Sequence, residues 1–124
     1  MNRYILVIDD SSTIRVSVTM ALKELGFPVK QAENGQDALD KIDEIKKDGD
    51  ETALCISDIN MPVMNGIEFI TEFRKKDKFT PVVVLTTEAE KEMIQKGKNA
   101  GASGWIIKHF QAEDLLNVVK RFVK

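Results

Sequence analysis

The chain has 124 residues, of which 43% are hydrophobic and 31% charged, with a formal net charge of -2. That length fits one domain, residues 1–124, able to bury about two thirds of its unfolded surface, and the composition argues against disorder or a membrane protein. A single cysteine, Cys55, forbids an internal disulfide, and the acidic balance lacks the basic footprint that nucleic acid requires.

The apolar pattern alternates between short continuous runs and helical spacing, the sign of strands and helices in turn. Tyr4 to Ile8 is predicted to be a buried strand. It is too short for a secretory core and ends in two acids, so a cytoplasmic location is expected. Ser11 or Ser12 can cap a helix striped by Ile14, Val18, Ala21, Leu22 and Leu25, with Gly26 as its C-terminal cap. A weak strand, Val29 to Ala32, precedes Asn34-Gly35 and a helix carrying Ala38, Leu39, Ile42 and Ile45 on one face. Ala53 to Ser57 is the third strand, Ile67 to Arg74 the third helix, and Pro81 to Leu85 the most β-rich run. Ala89 to Asn99 makes a fourth helix, Trp105 to Ile107 a last strand, and Ala112, Leu115, Leu116, Val119 and Phe122 stripe a helix running to Lys124. Continuously apolar strands covered by helices imply an α/β fold, with a parallel sheet buried on both faces and right-handed crossovers. The last helix leaves no room for an output domain, and a monomer is expected.

In open parallel sheets ligands bind beyond the carboxyl ends of the strands. There this chain places Asp9-Asp10, Asp58, Thr86-Thr87 and Lys108. Three carboxylates on one edge repel one another, which raises pKa values or calls for a cation. Mg²⁺ suits such a place, because it takes oxygen ligands, keeps several waters and needs only two carboxylates and a backbone carbonyl from the protein. Taken singly, each acid would more often be a helix cap, Lys108 a surface lysine and Thr86 a β-former. Together they form a chemical set.

The segments Val7-Ile8-Asp9-Asp10-Ser11, Ser57 to Gly66, Leu85-Thr86-Thr87-Glu88-Ala89 and Gly101 to Lys108 resemble the receiver domains of two-component response regulators. The likeness covers essentially the whole chain and is closest to the stand-alone chemotaxis regulators of CheY type. It implies a flavodoxin-like doubly wound (βα)5 fold with strand order 2-1-3-4-5. It implies further that Asp58 accepts a phosphoryl group, that Asp10, Asp58 and the Asn60 backbone carbonyl bind Mg²⁺, and that Asp9 acts through water. Thr86 and Lys108 would hold phosphoryl oxygens, and Trp105 would be an aromatic gate turning inward as Thr86 moves. The donor would be a histidine kinase and the output a protein contact, with a flagellar motor switch component as the family-level partner and a phosphorelay intermediate or phosphate sink as alternatives. Such a chain is no conventional enzyme, although it catalyses its own phosphorylation and dephosphorylation. Asn60 and Glu88 resemble the side groups of rapidly self-dephosphorylating members, while Thr87 replaces a common alanine.

One departure stands out. Receivers usually have Lys-Pro where this chain has Lys108-His109, and a cis bond before a non-proline residue costs about 2.5 to 4 kcal/mol. A trans bond, a shifted loop and a less preorganised Lys108 are therefore expected. Two other function classes fit the sequence less well. In a flavin-binding flavodoxin-like carrier, Ser11-Ser12-Thr13 would serve as a phosphate loop, but Asp9 and Asp10 would confront the flavin phosphate. A phosphatase of the haloacid dehalogenase kind would need a second acid two residues after Asp58, where Asn60 stands.

Overall fold

The computed structural model describes residues 1–123. Lys124, to which the last helix was expected to extend, lies outside the described residues. In chain order the elements are β1 (Arg3–Ile8), α1 (Ser12–Leu22), a 3₁₀ turn (Lys23–Leu25), β2 (Val29–Ala32), α2 (Gly35–Lys47), β3 (Glu51–Ser57), α3 (Gly66–Lys76), β4 (Val82–Thr86), α4 (Lys91–Ala100), β5 (Gly104–Ile107) and α5 (Ala112–Phe122). The five strands form one parallel sheet in the order β2-β1-β3-β4-β5.

Alternate residues of the central strands feed two cores, as the period of two requires. Ile5, Val7, Leu54, Ile56, Val83 and Leu85 pack with α1 and α5 through Val18, Leu22, Leu115 and Val119. Leu6, Ile8, Cys55, Val82 and Val84 pack on the other face with Ala38 of α2 and Phe69, Ile70 and Phe73 of α3, while Met93 of α4 borders them. Cys55 is wholly buried, and burial pushes its thiol pKa far up, which makes it an inert core residue.

Helix starts follow local chemistry. Ser11 caps α1 by accepting from the Ile14 amide, Asn34 caps α2 by accepting from the Asp37 amide, and Asn65 with Glu68 forms a capping box that starts α3 at Gly66. Several boundaries shift by one or two residues from the sequence expectation, and two differences have a visible cause. The helix of α1 ends at Leu22, and Gly26 closes the following 3₁₀ turn instead, at φ 78°. α4 begins at Lys91 rather than Ala89, because the loop before it is held by Trp105, as described below.

Candidate functional site

The sheet brings the carboxyl ends of β1, β3, β4 and β5 to one edge, and with them the predicted residues. Carboxylate oxygens of Asp9, Asp10 and Asp58 lie within 4.8 Å of one another, with Asp9 and Asp58 buried and Asp10 exposed. The Lys108 ammonium enters between two of them, 2.8 Å from Oδ2 of Asp58 and 2.9 Å from Oδ2 of Asp9. The other oxygen of each is also engaged: Oδ1 of Asp9 accepts from the Ser11 amide at 2.9 Å, and Oδ1 of Asp58 from the Ile59 amide at 2.7 Å.

These contacts set the electrostatics. Burial pushes the Asp9 carboxyl above its ordinary value, against the opposing effects of the Ser11 amide and Lys108. Burial alone would lower the Lys108 ammonium, but hydrogen bonds and charge from Asp58 and Asp9 outweigh it and raise its pKa. Two acids and one base thus share a nearly dry corner, with Lys108 as their counter-ion.

No peptide is cis among the described residues, so Lys108-His109 is trans, and His109 takes a left-handed φ of 72° on an exposed loop. The expectation of a loosely aimed Lys108 is not met. Its ammonium is fixed by two charge-assisted bonds, and its backbone amide donates to the Thr86 carbonyl at 2.7 Å. That bond also joins Lys108 to Thr86, the fully buried last residue of β4. The Thr86 hydroxyl accepts from the Glu88 amide at 3.2 Å. Asn60 lies exposed two residues beyond Asp58, in the loop after β3.

Trp105 is half-buried against the α2–α4 core, and its indole Nε1 donates to the Glu88 carbonyl at 3.1 Å. Glu88 Oε1 meanwhile accepts from the Glu90 amide, so residues 88–90 stay in the loop and α4 starts late. Room for the indole comes from Gly97 of α4, where an added Cβ would overlap Cζ3 of Trp105.

Three supporting residues escaped the sequence reading as functional parts. Gly66 lets α3 approach the strand end, since a Cβ there would overlap the Asp58 carbonyl oxygen. The Ser57 hydroxyl donates to that same carbonyl at 2.8 Å. Arg15 donates from Nη1 to the Asp9 carbonyl at 2.6 Å. Ser57 and Gly66 carried a signal, as the first and last residues of the motif around Asp58, and Arg15 carried none. The phosphate-loop reading of Ser11-Ser12-Thr13 fails on geometry: the Ser11 amide faces the Asp9 carboxylate and its hydroxyl caps α1.

Comparison with known proteins agrees with this geometry. The response regulator receiver domain profile matches residues 5–120. The chain belongs to the receiver family. Members of this family are phosphorylation-dependent switches, so this chain is a signalling protein. The chain is 35% identical to the chemotaxis protein CheY1 of Helicobacter pylori over 90% of this chain and 89% of that protein. It is 38% identical to the sensor histidine kinase CheAY of the same organism over 97% of this chain, but spans only 15% of that kinase's length. Among solved structures, Vibrio cholerae CheY4 matches with a TM-score of 0.87 and 40% identity, covering 99% of this chain and 100% of that one. The Thermotoga maritima response regulator TrrA, solved in complex with Mg²⁺ and BeF, matches with a TM-score of 0.82 and 32% identity over 99% and 100%. Among the described residues no helix is long and apolar enough to cross a membrane.

Proposed function

We propose that Asp58 accepts a phosphoryl group from a phosphohistidine of a histidine kinase, in a Mg²⁺-dependent reaction, and that the chain works in the cytoplasm as a chemotaxis-type switch. The observation that carries this reading is the Lys108 ammonium held between Asp9 and Asp58 beside Asp10. One cation already neutralises part of the cluster, and the chemistry of three converging carboxylates suits a second. Asp10, Asp58 and the Asn60 backbone carbonyl would bind Mg²⁺, with Asp9 acting through water. When bound, the ion supplies charge neutralisation for the phosphoryl oxygens.

The chain's own residues do the rest. A carboxylate oxygen of Asp58 forms the new P–O bond as the P–N bond to the donor imidazole breaks. Negative charge then moves from the carboxylate outward onto phosphoryl oxygens, where Lys108 and the Thr86 hydroxyl meet it. To do so Lys108 exchanges its bond to Asp58 for one to the phosphoryl group, and Thr86 gives up the Glu88 amide. That exchange loosens the loop on which the Trp105 indole is anchored. Trp105 thereby gates the surface formed by α4, β5 and α5, which binds the downstream protein, a flagellar motor switch component being the expected partner. Water attacking the same phosphorus later resets the switch, so the protein catalyses both of its own reactions.

Incubation with acetyl phosphate should add one phosphoryl mass in the presence of Mg²⁺ and none in EDTA, as read by intact mass. Uptake that persists undiminished in EDTA would remove the metal from the mechanism, and no uptake in either buffer would remove the switch.

A further inference from the structure

We propose that Arg15 is a positioning residue for the acids that take the metal; the inference rests on the Mg²⁺ reading above. Arg15 lies in the second turn of α1 and reaches two other elements at once. Its Nη1 donates to the Asp9 carbonyl at 2.6 Å, and its Nε donates to Oε1 of Gln31 in β2 at 3.1 Å. Gln31 is itself braced, since its Nε2 donates to the Thr19 hydroxyl at 3.4 Å and that hydroxyl donates to the Arg15 carbonyl at 2.7 Å. The ring of contacts ties α1, β2 and the corner after β1 into one unit.

The carbonyl that Arg15 holds belongs to the peptide joining Asp9 to Asp10. Asp9 is fixed at its other atoms as well: its amide donates to the Ala32 carbonyl at 3.0 Å, and its carboxylate meets the Ser11 amide and Lys108. Asp10 is exposed. Packing does not hold its side chain, so its placement depends on the backbone, and the guanidinium fixes the peptide that leads into it. Only a planar fork makes both donations; a lysine ammonium is a compact point charge on a flexible stem.

Charge and position predict opposite outcomes, which makes the role testable. As a mere charge, Arg15 repels a divalent cation, and removing it would tighten Mg²⁺ binding. As a brace, it aims a ligand, and losing a group that orients a metal ligand typically weakens binding about tenfold or more. The Mg²⁺ dissociation constant is measured by thermal shift across a Mg²⁺ series on the full chain, with the metal-free melting temperature as the control for folding. Arg15→Met and Arg15→Lys should both bind Mg²⁺ about tenfold more weakly than wild type. Tighter binding by Arg15→Met, or wild-type binding by Arg15→Lys, would overturn the inference. If Arg15→Met does not fold, Gln31→Ala keeps the test open: it leaves Arg15 in place without its brace and should also weaken Mg²⁺ binding, whereas unchanged affinity would refute the role. A wild-type protein that binds no Mg²⁺ would overturn the metal reading itself, and this inference with it.

Discussion

Gly97 of α4 and Trp105 of β5 fit as notch and ring, because a methyl group at residue 97 would overlap Cζ3 of the indole. The ring is thus seated against α4 while Nε1 bonds the Glu88 carbonyl. Helix propensity favours alanine over glycine by about 1 kcal/mol, whereas overpacking costs typically about 1 to 3 kcal/mol. Turning a half-buried indole outward avoids the larger cost. Gly97→Ala should therefore move the emission of Trp105, the single tryptophan, to longer wavelength in the unphosphorylated protein. An unshifted spectrum would contradict the seat.

Lys108 should be a structural cation as well as serving the proposed phosphoryl transfer. Asp9 and Asp58 are 2% and 6% exposed, so Lys108→Met strands two buried carboxylates. Removing one partner of a buried pair costs about 3 kcal/mol or more. In EDTA the variant should lose about that much stability to urea, and Mg²⁺ should restore more of it than it adds to wild type. Equal Mg²⁺ stabilisation of both proteins would separate the lysine site from the metal site.

Asp10 bears on the metal in a different way. Three mutually repelling acids suggest that deleting one would relieve strain, but Lys108 already answers Asp9 and Asp58, and Asp10 faces solvent. Asp10→Ala should thus change metal-free stability by no more than about 0.5 kcal/mol, while abolishing the rise in melting temperature with Mg²⁺. A wild-type Mg²⁺ response in this variant would take Asp10 out of the ligand set.

At the opposite end of the sheet, Asp77 organises the turn before β4. Its carboxylate accepts from the amides of Phe79 and Thr80 at 2.8 and 2.9 Å, and from the Thr80 hydroxyl. Burial alone would raise this carboxyl, but those bonds and the Arg74 charge outweigh it and hold it below the ordinary carboxylate value. A depressed folded pKa stabilises above the unfolded value and is lost as pH falls through the folded one. Asp77→Asn should therefore cost about 1 kcal/mol near neutral pH, with the gap to wild type closing below about pH 4. Denaturant midpoints across that range would show it, and a gap that widens in acid would reverse the assignment.

What the sequence revealed depended on how local each determinant is. The buried strands were legible because Leu54 to Ile56 and Val82 to Val84 are unbroken apolar runs, and the acids of the site because they follow such runs directly. The irregular pairing opposite Tyr4 and Ile5, where Thr52 and Leu54 rather than consecutive residues face β1, leaves no trace in the pattern. The late start of α4 depends on a bond from Trp105, seventeen residues beyond Glu88. No local pattern marks Arg15, because its contacts exist only once β2 brings Gln31 alongside. The aim of Lys108 is non-local in the same way, since Asp9 and Asp58 set it across the sheet edge and the neighbouring His109 does not.

On the proposed mechanism Asp58 alone carries the phosphoryl group. Borohydride reduces an aspartyl phosphate to homoserine, so the chain is treated with acetyl phosphate and Mg²⁺, trapped with borohydride and mapped by peptide mass spectrometry. Homoserine at residue 58, and its absence from Asp58→Asn, is the predicted result. Homoserine at Asp9 or Asp10, or anywhere in the Asp58→Asn protein, would contradict it.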